Sequence, residues 1–187
     1  MLMVTKAGHW AADDLDLLPD DGNRYEVVDG ELFVTPAPSL AHQAVTDQFH
    51  ARLREFVKSH RLGWVFFAPG DVHVDTRNRV QPDIFVVPRT AAGRPQDWKS
   101  APKPILVVEV LSDSTERRDL GPKRELYSSA EIAEYWIVDH EHRMVRVVRP
   151  TTSEVIAHDR IAWHPTGATE TLVIDLPALF REALDSD

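Results

Sequence analysis

Pro104-Ile-Leu-Val-Val-Glu-Val-Leu111 is apolar at every position except Glu109. Such a run reads as a strand buried on both faces. An ionised carboxylate is costly there without a compensating cation. Asp83 has a similar setting in Gln81-Pro-Asp-Ile-Phe-Val-Val87. Two acids in β-branched runs point to neighbouring strands that share one cation. Magnesium suits such a pair, because it prefers oxygen ligands and keeps several waters. The other reading pairs each acid with an arginine as a buried ion pair. Neither run contains a basic residue, which favours the shared site.

Outward from these runs, the pattern alternates strands and helices. Asp13 to Leu18 can form a short helix stopped at Pro19. Arg24–Val28 and Glu31–Thr35 flank Asp29-Gly30, a strong hairpin signal because a type I′ turn needs positive φ twice. Ser39 can cap a helix over 40–60, with Val45, Phe49, Leu53 and Phe56 at helical spacing. Gly63 is placed to close that helix. Strands are expected at Trp64–Ala68, Val72–Val74 and Val80–Val87, and a loop over 88–103. After strand 104–111 come a polar loop at Ser112–Leu120 and a helix from Pro122 to about Ala130. Glu134–Asp139 and Met144–Val148 read as a hairpin. In the tail, Thr169–Ile174 reads as a strand and Leu179–Leu184 as a helix. The expected fold is α/β, an α+β mixed sheet with helices on its faces.

The 187 residues suit one domain over 1–187, with an N-terminal segment at 1–21 and a C-terminal extension at 151–187. There is no cysteine, which removes disulfides, thiolate zinc sites and a cysteine nucleophile. No run approaches the roughly 18 apolar residues of a membrane span, and the first ten residues lack a signal-peptide pattern. A cytoplasmic protein with no membrane partner is the expectation. Net charge is −9, but the acids crowd the ends. Residues 1–35 carry −6, 36–150 carry +2 and 151–187 carry −5, so the middle can still present a basic face.

Several residues are candidates for chemistry. Lys123 begins the helix after the Glu109 strand, where its ammonium could position a water or offset charge on phosphate. The other reading is a solvated surface lysine. Glu26 and Glu31 flank the Asp-Gly turn, and either could join the acids; Glu31 is slightly preferred. His42 opens the long helix and could contact phosphate or simply pack. Arg117, Arg118 and Arg124 could grip a phosphate backbone. Tyr135 and Trp136 read as sheet packing. Ser112 and Ser114 lack a glycine-framed nucleophile elbow, and no Gly-rich phosphate loop occurs.

Together, Arg24-Tyr-Glu-Val-Val-Asp-Gly-Glu-Leu32, His42, Gln81-Pro-Asp83, Val107-Val-Glu-Val-Leu-Ser112, Asp119, Lys123, Tyr127 and Glu134-Tyr-Trp-Ile-Val-Asp139 closely resemble the Uma2 family. That family is grouped with restriction-type endonucleases in the PD-(D/E)XK nuclease-like superfamily. The resemblance covers about residues 22–150. It implies a restriction-endonuclease-like core in which Asp83 and Glu109 bind magnesium, with manganese as a substitute. A backbone carbonyl near Val110 would complete the protein ligands. The superfamily's Glu-X-Lys lysine position holds Leu111 here, and Lys123 from the following helix stands in for it. DNA is the implied partner, with a homodimer suited to cutting both strands. Two other functions fit the residues: a nuclease-like fold that binds nucleic acid or protein without cutting, and a metal-dependent phosphoesterase for small substrates.

Overall fold

The Asp29-Gly30 turn joins β1 (Arg24–Val28) to β2 (Glu31–Thr35) in antiparallel register. Both turn residues have positive φ, +49° and +80°, as a type I′ turn demands. The structure, a computed structural model, describes residues 9–112 and 115–185. The readings that fell on 1–8, 113–114 and 186–187 lie outside the described residues. A 3₁₀ turn at Ala12–Leu17 precedes the hairpin.

α1 (Leu40–Ser59) starts at Ser39, whose hydroxyl accepts the His42 backbone N–H at 3.2 Å. Its stripe of Val45, Phe49 and Leu53 is fully buried. The helix end corrects the expectation at Gly63. Arg61, at φ +55°, makes the left-handed turn, and the Leu62 N–H closes on Val57 O at 3.0 Å. Gly63 instead opens β3 (Gly63–Phe67), where a Cβ would lie 2.0 Å from the Val87 carbonyl oxygen. Glycine is required there by close backbone approach.

The single strand expected at Val80–Val87 is two strands in different sheets. β4 (Val72–Asp75) pairs with β5 (Asn78–Val80), and β6 (Ile84–Pro88) begins anew after Gln81-Pro82-Asp83. Pro82 has no N–H for a ladder, so the chain changes sheets there. β7 (Leu106–Val110) is buried at all five positions. The stretch expected as a polar loop contains α2 (Glu116–Leu120), followed by α3 (Pro122–Ser129). β8 (Glu134–Asp139) and β9 (Met144–Arg149) form the expected hairpin. The tail adds β10 (Thr152–Ala157), β11 (Arg160–Trp163), β12 (Leu172–Asp175) and α4 (Leu176–Leu184).

The main sheet runs β10-β9-β8-β7-β6-β3, with β7 and β8 parallel and every other pair antiparallel. A second sheet runs β2-β1-β5-β4, and β11 pairs with β12. This is the mixed α+β architecture that the sequence predicts. α1 and α4 cover one face of the main sheet, burying Phe49, Val108, Val110, Trp136 and Phe180 together. α3 and the hairpin sheet cover the other, around Val28, Val80, Phe85, Val107 and Tyr127. Residues beyond 150 are integral to this packing: β10 extends the main sheet and Phe180 stacks edge-on against Phe49. Alternation along β7 turns Val108 and Val110 toward α1 and Glu109 toward α3.

Candidate active site

β6 and β7 pair with Ile84 opposite Val108. One step further along that register sets Asp83 beside Glu109. The Asp83 N–H approaches Glu109 Oε2 at 3.4 Å, and the Val110 N–H donates to Asp83 Oδ2 at 2.9 Å. α3 lies over the same end of β7. Lys123 and Tyr127 are one helical turn apart on it, and both donate to Glu109 Oε1, at 2.7 and 3.0 Å. Asp83, Glu109 and Lys123 thus converge from the β5–β6 connection, β7 and α3. Val110 is drawn in through its backbone.

Asp83 is not a bare carboxylate. Arg24, on β1, donates from Nη1 to Oδ1 at 2.7 Å, and His42 Nε2 lies 3.1 Å from Oδ2. The arginine pairing considered as the other reading of this acid is therefore present alongside the convergence with Glu109. His42 touches the carboxylate itself, held over it by the first turn of α1.

The hairpin acids separate. Glu26 is 0% exposed. Its Oε1 accepts the Gln81 N–H at 2.8 Å and lies 2.7 Å from Lys123 Nζ; its Oε2 lies 3.0 Å from Arg118 Nη1. Glu31 is solvent-exposed, which corrects the preference for it. Glu26 lies opposite Phe33 in the hairpin. Glu31 shares that face but stands two residues nearer the turn, about 7 Å along the strand, and so overshoots the buried cluster.

The arginines expected to grip phosphate are mostly engaged elsewhere. Arg118 is buried; it donates to Thr35 Oγ1 at 2.8 Å and sits over the Phe33 ring. Arg124 pairs with Glu154 of β10. Arg117 alone of the three faces solvent fully. Asp119 is 1% exposed, with Oδ1 3.7 Å from Lys123 Nζ. Arg24, Arg118, Asp119 and Tyr127 received no catalytic-centre role from the sequence. For two of these a signal existed, since Asp119 and Tyr127 stand four positions on either side of Lys123.

Four carboxyls, Asp83, Glu109, Glu26 and Asp119, face three permanent cations, Arg24, Arg118 and Lys123. The acids and these cations differ by one charge, and a proton on Glu109 closes that difference. Burial pushes Glu109 up to about 8; Lys123 opposes this, and Asp119, Asp83 and Glu26 reinforce it. Burial also opposes ionisation of Asp83, but the His42 hydrogen bond, Arg24 and the Val110 N–H hold it well below the usual carboxylate range. Glu26 is likewise lowered, burial being outweighed by Lys123 and Arg118. Lys123 stays above its ordinary range: burial disfavours its charge, but Glu109, Glu26 and Asp119 outweigh that. Asp119 is raised, chiefly by burial.

A groove of about 1050 Å³ opens at the Asp83 end of the cluster, lined by Arg24, His42, Thr46, His50, Phe67 and Asp83 among others. Among the described residues no group of three or more His, Asp or Glu side chains is arranged to hold a metal ion. Two carboxylates suffice for magnesium when water and substrate phosphate supply the rest. Asp83 and Glu109 offer hard oxygen donors side by side, and loss of the Glu109 proton frees one negative charge to meet a cation. The donor set therefore fits a divalent ion.

Residues 12–179 match the sequence model of the Uma2 family, described as "Putative restriction endonuclease". The match is wider at both ends than the resemblance over 22–150. A crystal structure of "a putative nuclease belonging to DUF820 from Anabaena variabilis ATCC 29413" has the same fold, with a TM-score of 0.77. It is 21% identical, and the alignment covers 94% of this chain and 99% of that one. No curated protein matches the chain. No helix among the described residues is long and apolar enough to cross a membrane. The family match takes in the hairpin, α1, both core acids and α3, and the chain belongs to the Uma2 family.

Proposed function

We propose that the protein is a magnesium-dependent endonuclease that hydrolyses DNA phosphodiester bonds, with manganese able to replace magnesium. The observation that carries this reading is the convergence of Asp83, Glu109 and Lys123 at one end of paired strands, beside an open groove. Asp83 and Glu109 would hold the ion, with the Val110 carbonyl as a third protein ligand. A divalent ion there supplies Lewis-acid activation of the phosphodiester and of the attacking water. The remaining roles belong to the chain. Lys123 and Tyr127 fix Glu109 by donating to Oε1. His42 orients Asp83 from the groove side. Glu26 holds Lys123 in place and keeps its charge within the cluster. Two copies in a homodimer would address the two strands of a duplex.

The test is nicking of supercoiled plasmid with magnesium or manganese and with chelator. The proposal expects metal-dependent nicking that Asp83→Ala abolishes; equal nicking by the variant removes the assignment.

One observation favours a second reading, a nuclease-like module that binds without cutting. The Lys123 ammonium is 1% exposed and already engaged by Glu26 and Glu109. Magnesium titration by calorimetry separates the two. A folded protein whose metal binding does not depend on Asp83 or Glu109 fits the non-cutting module.

A further inference from the structure

We propose that Arg24 binds a backbone phosphate of the nucleic acid through the unused edge of its guanidinium, while its other edge holds Asp83. This rests on the nuclease reading above.

A guanidinium is a planar fork of five N–H donors. In Arg24 only Nη1 is engaged: it donates to Asp83 Oδ1 at 2.7 Å and reaches the Gln81 carbonyl at 3.5 Å. No hydrogen bond forms at Nη2 among the described residues. Nε is buried and also has no partner. A buried donor left unpaired is unusual in a folded chain, and here it belongs to the residue nearest Asp83 on the groove wall. Nη2 shares that edge with Nε and, unlike the enclosed Nε, is the donor a phosphate oxygen can meet from the groove.

The groove's net charge is not what attracts a polyanion. Asp20, Asp47 and Asp83 line it together with Arg24 and Arg54. A specific, directed contact is therefore the feature left to recognise phosphate, and Arg24 supplies one beside the carboxylate that would hold the ion. The same side chain sets the distance between gripped phosphate and Asp83, so phosphate binding and acid orientation are one device. A lysine could hold Asp83 but has no second edge.

The test measures binding of a fluorescently labelled DNA duplex by anisotropy, in chelator, across a range of salt. Wild type, Arg24→Lys and Arg24→Gln are compared, with folding followed by urea denaturation. Arg24→Lys should bind about tenfold more weakly, with an unchanged salt slope because the charge is kept. Arg24→Gln should bind more weakly still, with the slope reduced by about 0.9, one phosphate contact. If Arg24→Gln does not fold, the lysine variant decides the matter. Wild-type binding with both variants unchanged overturns this inference alone. A wild type that binds no DNA even at low salt overturns the nuclease reading, and this inference with it.

Discussion

Lys123 on α3 reaches Glu109 on β7 at 2.7 Å, so a helix lysine meets the strand acid inside the fold. Leu111 is buried among Val107, Leu126 and Tyr127 on the same side of the sheet. From the helix Lys123 keeps a cation against the strand acid and also contacts Glu26 and Asp119.

Removing that cation leaves two acids buried without their nearest partner. Lys123→Met should destabilise the fold by about 3–5 kcal/mol, the usual cost of breaking a buried pair from one side. The urea midpoint reads this directly. A loss under about 1 kcal/mol would mean the cluster is not held by Lys123.

The pH profile should fall on both sides of a maximum. Glu109, raised to about 8, contributes stability that is complete below its unfolded value of about 4.5 and is lost as pH rises toward 8. Asp83 and Glu26 are lowered, so their contributions are present above their unfolded values and are lost on acidification. Glu109's contribution falls above about pH 4.5 and those of Asp83 and Glu26 fall below it, so the urea midpoint should peak near about pH 4.5 and decline toward pH 8. A midpoint that climbs steadily from pH 5 to 8 would show that Glu109 does not hold its proton.

The same proton couples to the metal. At pH 7 the Glu109 carboxyl is largely protonated before an ion arrives, so binding must release about one proton. Calorimetry in two buffers of different protonation enthalpy counts it. Identical apparent enthalpies in the two buffers would exclude Glu109 as a titrating ligand.

Glu26 and Glu31 give a paired comparison on one hairpin. Glu26→Gln should cost about 2 kcal/mol or more, because Arg118 and Lys123 lose a buried counter-charge. Glu31→Gln should stay within about 0.5 kcal/mol of wild type. Equal effects would show that the hairpin register places the two acids alike.

Tyr127→Phe removes one donor to Glu109 Oε1 without changing shape. Stability should drop by about 1–3 kcal/mol, and nicking should slow without vanishing, since Lys123 still holds the acid. Nicking lost as fully as in a Glu109 variant would give the hydroxyl a direct part in the reaction.

Much of this was readable where the signal is local. Asp29-Gly30 specifies its turn through backbone sterics, Ser39 caps α1 within one turn, and the buried acid of β7 breaks an apolar run. The rest depends on contacts between distant segments. Arg24 meets Asp83 across 59 positions and Arg118 meets Thr35 across 83, which no spacing reveals. Glu26 and Glu31 share a face, so alternation could not rank them; only the position of α3 along the hairpin does. Pro82 marked the break between β5 and β6, but the β-branched residues on either side masked it. β10 is an exposed edge strand without clear alternation, and its burial pattern explains why it left no signal.

The most direct measurement is the rate of supercoiled-plasmid nicking by wild type and by Glu109→Gln, in manganese and in chelator, with both proteins shown to be folded. Wild type should nick only with metal, and the variant, which keeps the size of the side chain but cannot ionise, should be slower by about 100-fold or more. Matching rates in the two proteins, or nicking that persists in chelator, would contradict a metal-dependent centre built on Glu109.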